Sequence, residues 1–262
     1  MNMLDLISLK DFELFLKDFQ KTQINKLPID EILNDVKCEN KILSEKFMNT
    51  WYDSIKDDYS NPAYWIYGEP LYLGEVLFCW KKYSRRYIKL LRKLNLKNIN
   101  KILDLGCGIG FTTLALSEQY NCDVFGTNIK DTLQYDINKF VINKYGTEKC
   151  HIIDSNFGTN EKIDLIFASE FFEHIINPIE LLKDILNFYK PRYFIFANSF
   201  KSKNIGHFNN YLNNGELINP KKTSYLFSKM LKDNCYKRVD THFYNNRPCV
   251  YEKINFNKYF YF

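Results

Sequence analysis

The chain has 262 residues, a hydrophobic fraction of 45% and 36 lysines and arginines against 31 aspartates and glutamates. That length and apolar content suffice for a large buried core and exclude a disordered chain. Seven dispersed cysteines with no C-x-x-C pair exclude a disulfide framework, and the absence of a bilayer-length apolar run excludes a membrane span. Net charge is +5, with acidic residues interleaved among the basic ones. The N-terminus lacks the charged, apolar and small-residue layout of a secretion signal, so the expected location is the cytoplasm.

In chain order, residues 3–58 read as helical. Ile29, Ile32, Leu33 and Val36 fall on one face, and Leu43, Phe47, Trp51 and Ile55 follow at four-residue steps. Residues 57–72, rich in turn formers and aromatics, read as a loop, and a helix is predicted over 73–94. That helix carries Lys81, Lys82, Arg85, Arg86, Lys89, Arg92 and Lys93, read as a solvated face before any nucleic-acid contact. Residues 1–97 show no strand–helix alternation and are expected to form an N-terminal helical extension or lid.

From Lys101 the pattern changes. KILDL, CDVFGTN, CHIID, IDLIFAS and YFIFANS are short apolar runs. The stretches 111–120, 131–145 and 178–188 between them have helical character. Near-continuous apolar strands alternating with helices predict a parallel sheet covered on both faces. A helix over 223–234 leads to KRVDTHFY and CVYEKI, joined by a turn, which predict a C-terminal antiparallel hairpin. The expected fold is α/β: a Rossmann-like seven-stranded sheet, mostly parallel with a C-terminal antiparallel hairpin, in a domain spanning 98–262.

The first strand ends in Asp104-Leu105-Gly106-Cys107-Gly108-Ile109-Gly110. Glycine permits a sharp turn and lets a ligand lie against bare backbone, and the following helix offers free amide donors. A carboxylate two residues before the first glycine suits a cationic ligand and opposes a pyrophosphate. The spacing also departs from the dinucleotide fingerprint. With these residues, the chain resembles the class I S-adenosylmethionine-dependent methyltransferase family over about 98–253. The resemblance implies S-adenosylmethionine as cofactor, with Asp104, Gly106, Cys107, Gly108 and Gly110 cradling its methionine part. Asn128, where the family usually has an acid, and Ile129 would meet the ribose, and Gln134 would lie near the cofactor. Asp154, Ser155 and Asn156 would surround the adenine. Ser169 and Glu170 end the fourth strand, where α/β sheets bind ligands.

The same resemblance disfavours two nucleic-acid chemistries, because SEFF at 169–172 has neither an Asn-Pro-Pro-aromatic nor a Pro-Cys motif. His207, in a loop after the fifth strand, and His174 are the candidate bases for a hydroxyl acceptor. Tyr67, Glu69, Tyr72, Tyr211 and Arg247 are the candidate substrate contacts. Each has a bland alternative: His174 as a helix-orienting residue, His207 as an ordinary loop histidine, the aromatics as packing. No histidine or cysteine spacing suits a metal. The expected partner is a small molecule. The expected activity is O-methylation of a small polar acceptor, such as a sugar, a nucleotide-linked sugar or a surface-polysaccharide precursor. RNA or protein methylation and a non-catalytic cofactor-binding subunit are the alternatives.

Overall fold

Ser8 starts the first helix: its hydroxyl accepts the Asp11 amide, and the Asp11 carboxylate accepts the Ser8 amide in return. In the computed structural model, which describes residues 3–23, 26–56, 59–94, 96–154, 159–243 and 247–254, this helix, α1, runs Leu9–Gln20. It is followed by α2 (Ile29–Lys37) and α3 (Lys41–Ser54). The helical stretch is therefore broken twice. Pro28 precedes α2, and Asn40 takes a left-handed φ of 63° before α3.

These helices do not stand apart from the rest of the molecule. Phe12, Phe15, Leu16 and Phe19 share one apolar core with Ile102, Phe111, Leu114 and Val124. The Phe15 and Phe111 rings meet edge to face at 5.1 Å. Next come α4 (Tyr72–Cys79) and α5 (Arg85–Leu91), joined without a break by a π turn at Trp80–Ser84. Such wide turns recur at functional sites. The basic run lies here: Arg86, Lys89, Arg92 and Lys93 are exposed, while Lys82 pairs with Glu39 and Arg85 donates to the Leu4 carbonyl.

The strands are β1 (Lys101–Leu105), β2 (Asp123–Asn128), β3 (Cys150–Asp154), β4 (Leu165–Ser169) and β5 (Tyr193–Ala197). Then follow β6 (Tyr211–Asn213), β7 (Glu216–Ile218), β8 (Tyr236–Arg238) and β9 (Cys249–Lys253). Seven of them form one sheet in the order β3-β2-β1-β4-β5-β9-β8. β1 to β5 pair in parallel; β9 is antiparallel to both β5 and β8. The helices α6 (Phe111–Tyr120), α7 (Leu133–Tyr145), α8 (Pro178–Tyr189) and α9 (Pro220–Asp233) complete the chain. Pro178 and Pro220 each occupy the first helical turn, where the missing N–H costs nothing. The order reverses between β1 and β4, so their carboxyl ends diverge and leave a crevice.

Two local expectations change. The strand read over KRVDTHFY is only three residues long. After it the Val239 amide still donates to the Val250 carbonyl at 2.8 Å, but His242 turns to a φ of 52° and leaves the ladder. A second hairpin, β6 with β7, closes on Asn214 and Gly215 at φ 51° and 80°. Asn-Gly is the sequence signal for such a turn.

Candidate active site

The loop from Gly106 to Gly110 joins β1 to α6. Gly106 sits at φ +65°; its amide donates to Thr127 Oγ1 at 2.9 Å, and a Cβ there would lie 2.4 Å from Phe171 Cδ2. Gly108, at φ +56°, has only Val76 Cγ1 at 3.3 Å and Gln134 Oε1 at 3.9 Å near its vacant Cβ position. Gly108 is therefore less crowded than Gly106, its nearest neighbours being the ends of two side chains that line the cavity. Beneath the loop, Asp104 Oδ2 accepts the hydroxyls of Thr112 at 2.5 Å and Thr113 at 2.8 Å. These bonds tie the strand to the first turn of α6. Burial still outweighs them and lifts the Asp104 carboxyl to about 6. The Cys107 thiol points inward, within 2.8 Å of Asn138 Nδ2, and burial pushes its pKa up, so it is no nucleophile.

Asn128 ends β2 and braces the loop. Its Nδ2 donates to the Gly108 carbonyl at 2.5 Å, and its Oδ1 accepts the Ile129 amide at 2.8 Å. A carboxylate here would have no proton for the Gly108 carbonyl. This gives the departure from the usual acid a local structural reason.

The loop opens on a cavity of about 960 Å³. One wall is α4 and the π turn, through Glu75, Val76, Cys79 and Ser84. Ser84 and Ser169 hydroxyls meet at 2.9 Å, pinning that wall to the end of β4. A second wall is the segment after β5, with Ser202, Asn204 and His207, and it meets the first where Asn204 donates to Glu75. His207 is buried. Its Nδ1 lies 2.9 Å from both the Ser202 carbonyl and the Ser202 hydroxyl. A carbonyl only accepts, so Nδ1 carries the ring proton and Nε2 keeps a free lone pair. Burial lowers the His207 pKa to about 4. The His174 ring stands 4.8 Å from it, edge to face, with Nδ1 3.2 Å from the Tyr67 hydroxyl. Burial, then the neighbouring His207, hold His174 well below its ordinary value. Both rings are therefore neutral at pH 7.

Carboxylates lie close by. Glu173 is fully buried, and its Oε1 accepts the Ser199 amide at 2.6 Å. Burial lifts Glu173 to about 7, and burial plus the Glu173 charge lift Glu170 well above the carboxylate range. Arg247 donates to the Asn198 carbonyl at 2.8 Å and favours the charged form of both acids.

Of the residues predicted from sequence, the structure brings Asp104, Gly106, Cys107, Gly108, Asn128, Ile129, Gln134, Ser169 and Glu170 to this cavity, together with Tyr67, Tyr72, His174, His207 and Arg247. Gln134 is half-buried and faces the loop, so it is not an exposed helix residue. Four predicted residues lie elsewhere. Gly110 caps α6 against Asn138. Glu69 is half-buried outside the lining. Asp154 ends β3 beside Asn128 in register, also outside it. Tyr211 is fully buried, with its hydroxyl donating to the Glu173 carbonyl at 3.2 Å. Ser155 and Asn156 lie outside the described residues. Sequence reasoning passed over Thr127, Thr112 and Glu75. Glu75 carried a signal, a lone charge inside the apolar run Tyr72–Trp80.

A parallel sheet closed by an antiparallel β9, with a glycine loop opening on a cavity at the carboxyl ends of its strands, defines a class I methyltransferase. The chain belongs to the family whose model is described as "Methyltransferase domain", matched over residues 79–232, more than half its length. No curated protein matches it. Among solved structures, human N-acetylserotonin methyltransferase in complex with SAM is similar in fold, with a TM-score of 0.55 at 13% identity over 86% of this chain and 70% of that one. Magnesium protoporphyrin IX methyltransferase from Synechocystis PCC 6803 gives 0.47 at 15% identity over 80% and 94%. EvdMO1 gives 0.46 at 14% identity over 66% of this chain, which spans only 41% of that protein.

Proposed function

We propose that this chain moves the methyl group of S-adenosylmethionine to a hydroxyl of a small polar acceptor. The donor set suits a cationic, amino-acid-like cofactor. Asp104 lies under the glycine loop, Glu170 lines the cavity, and Gly108 leaves a cradle that a Cβ would fill. Asp104, Gly106, Gly108, Asn128 and Gln134 are the residues that would hold it. When bound, it supplies a methyl group on a positively charged sulfur with a good leaving group.

The remaining work falls to the protein. The walls formed by α4 and the segment after β5 align the acceptor and exclude water. The acceptor hydroxyl donates to His207 Nε2, the nitrogen left without the ring proton once Nδ1 donates to the Ser202 carbonyl. Burial keeps that ring neutral, so its lone pair is available to accept the hydroxyl hydrogen bond. Tyr67 and His174 shape the same wall. This is the observation that carries the hydroxyl reading: a neutral, tautomer-fixed histidine lining the same cavity as the glycine loop.

The test is release of S-adenosylhomocysteine from purified protein, cofactor and a panel of hydroxylated small molecules that includes sugars and nucleotide-linked sugars. Tight cofactor binding with no product from any member would overturn the acceptor class while sparing the cofactor.

A further inference from the structure

The acceptor end of the cavity holds polar oxygens that the methyl-transfer chemistry does not use. Glu75 sits on α4 one residue before Val76, which packs at the Gly108 cradle. Its Oε1 accepts the Asn204 amide at 3.1 Å and the Cys79 thiol at 3.3 Å, so the carboxylate spans from the cofactor loop's neighbour to the segment after β5. Its Oε2 is buried with no hydrogen-bond partner. Asn40 lines the same cavity beside Glu75, with which its side chain hydrogen-bonds; it is only 6% exposed, and its Oδ1 is buried and unpartnered. With Glu75 ionised, both orphan atoms are acceptors. Leaving such atoms unmatched is unfavourable, because each loses its water without gaining a donor.

The available cations do not answer them. Among the described residues no ion pair includes Glu75 or Glu170. Of the cations lining the cavity, Lys82 is held by Glu39 at 3.1 Å, Arg247 donates to the Asn198 carbonyl, and Lys203 forms no ion pair with Glu75. A neutral hydroxyl would satisfy one acceptor. A protonated amine offers several donors and a charge that matches a carboxylate.

We propose that Glu75 Oε2 and Asn40 Oδ1 form a subsite for a protonated amine of the acceptor, making the acceptor an amino alcohol or amino sugar whose hydroxyl is the group methylated. This rests on the methyltransferase reading and adds the acceptor's second functional group to it. Burial raises the Glu75 carboxyl in the free protein and so favours its neutral form, which a bound ammonium would convert to the carboxylate.

The test uses matched pairs, glucosamine against glucose and ethanolamine against ethylene glycol, titrated into the full chain saturated with S-adenosylhomocysteine. The expected result is binding at least about tenfold tighter for the amine of a pair, the scale of one charge-assisted hydrogen bond. Glu75→Gln should abolish that preference while leaving S-adenosylhomocysteine affinity within about twofold, which also shows that the variant is folded. Asn40→Ala, which keeps the carboxylate, should reduce the preference by a smaller factor. Equal binding of amine and hydroxyl members, or no binding of either, overturns the subsite and leaves the methyltransferase reading intact. A Glu75→Gln variant that loses S-adenosylhomocysteine affinity in step with the amine overturns it too, by assigning Glu75 to the cofactor. Failure of the wild type to bind S-adenosylhomocysteine at all would remove the underlying reading.

Discussion

Alanine at Gly106 and at Gly108 separates folding from binding within one loop. Both glycines have left-handed φ, which costs an L-residue about 1–2 kcal/mol. Only at Gly106 does the new methyl group meet a ring carbon at 2.4 Å, so overpacking adds about 1–3 kcal/mol. Gly106→Ala is therefore expected to lose roughly 2–5 kcal/mol, or about 4–20 °C in Tm for a domain of this size. At Gly108 the nearest contact is the end of Val76 at 3.3 Å, which a shift of a few tenths of an ångström relieves. Gly108→Ala should lose only about 1–2 kcal/mol. Its methyl group, however, stands in the space where the cofactor meets bare backbone, and S-adenosylhomocysteine affinity should fall at least about tenfold. Thermal melts and calorimetry on the two variants read both quantities. Wild-type affinity in Gly108→Ala would refute the cradle, and equal melting points for the two variants would refute the packing argument at Phe171.

Three further outcomes follow from the same geometry. Asp104 has a folded pKa of about 6 against an ordinary 3.8, so its contribution to stability is complete below about pH 4 and is lost as pH rises through 6. The stability of Asp104→Asn relative to wild type should thus rise by about 3 kcal/mol across that window in urea unfolding, and a constant difference would contradict the burial argument. His207→Gln should lower kcat by about 10²–10⁴ with S-adenosylhomocysteine affinity unchanged, because the ring acts on the acceptor proton; a parallel loss of affinity would move His207 to the cofactor side. Asn128→Asp removes the donor to the Gly108 carbonyl and should cost about 1 kcal/mol together with some cofactor affinity. Tighter cofactor binding by this variant in calorimetry would show that a charged ribose contact outweighs the brace.

The strands and the glycine loop were legible in the sequence because their causes are local. KILDL is buried from Ile102 to Leu105, and apolar there except at Asp104, since both faces of a central parallel strand are covered, and Gly106 and Gly108 are glycines because their φ values are positive. The hairpin at Asn214-Gly215 was equally local and only overlooked. Expectation and structure part where a role depends on what lies opposite. Nothing near Tyr211 in the chain says that it is core, since its partner Glu173 is 38 positions away. Asn40, Glu75 and Asn204 have no common pattern either, being brought together by the packing of three separate elements. The tautomer of His207 depends on one carbonyl, and its neutrality on how deeply the walls bury it. Periodicity and turn chemistry report backbone geometry and burial, so by itself the sequence determined the sheet, its closing hairpin and the glycine loop. Desolvation and hydrogen-bond partnership are properties of contacts distant in the chain, so only the tertiary structure decided which carboxylates, imidazoles and amides face one another across the cavity.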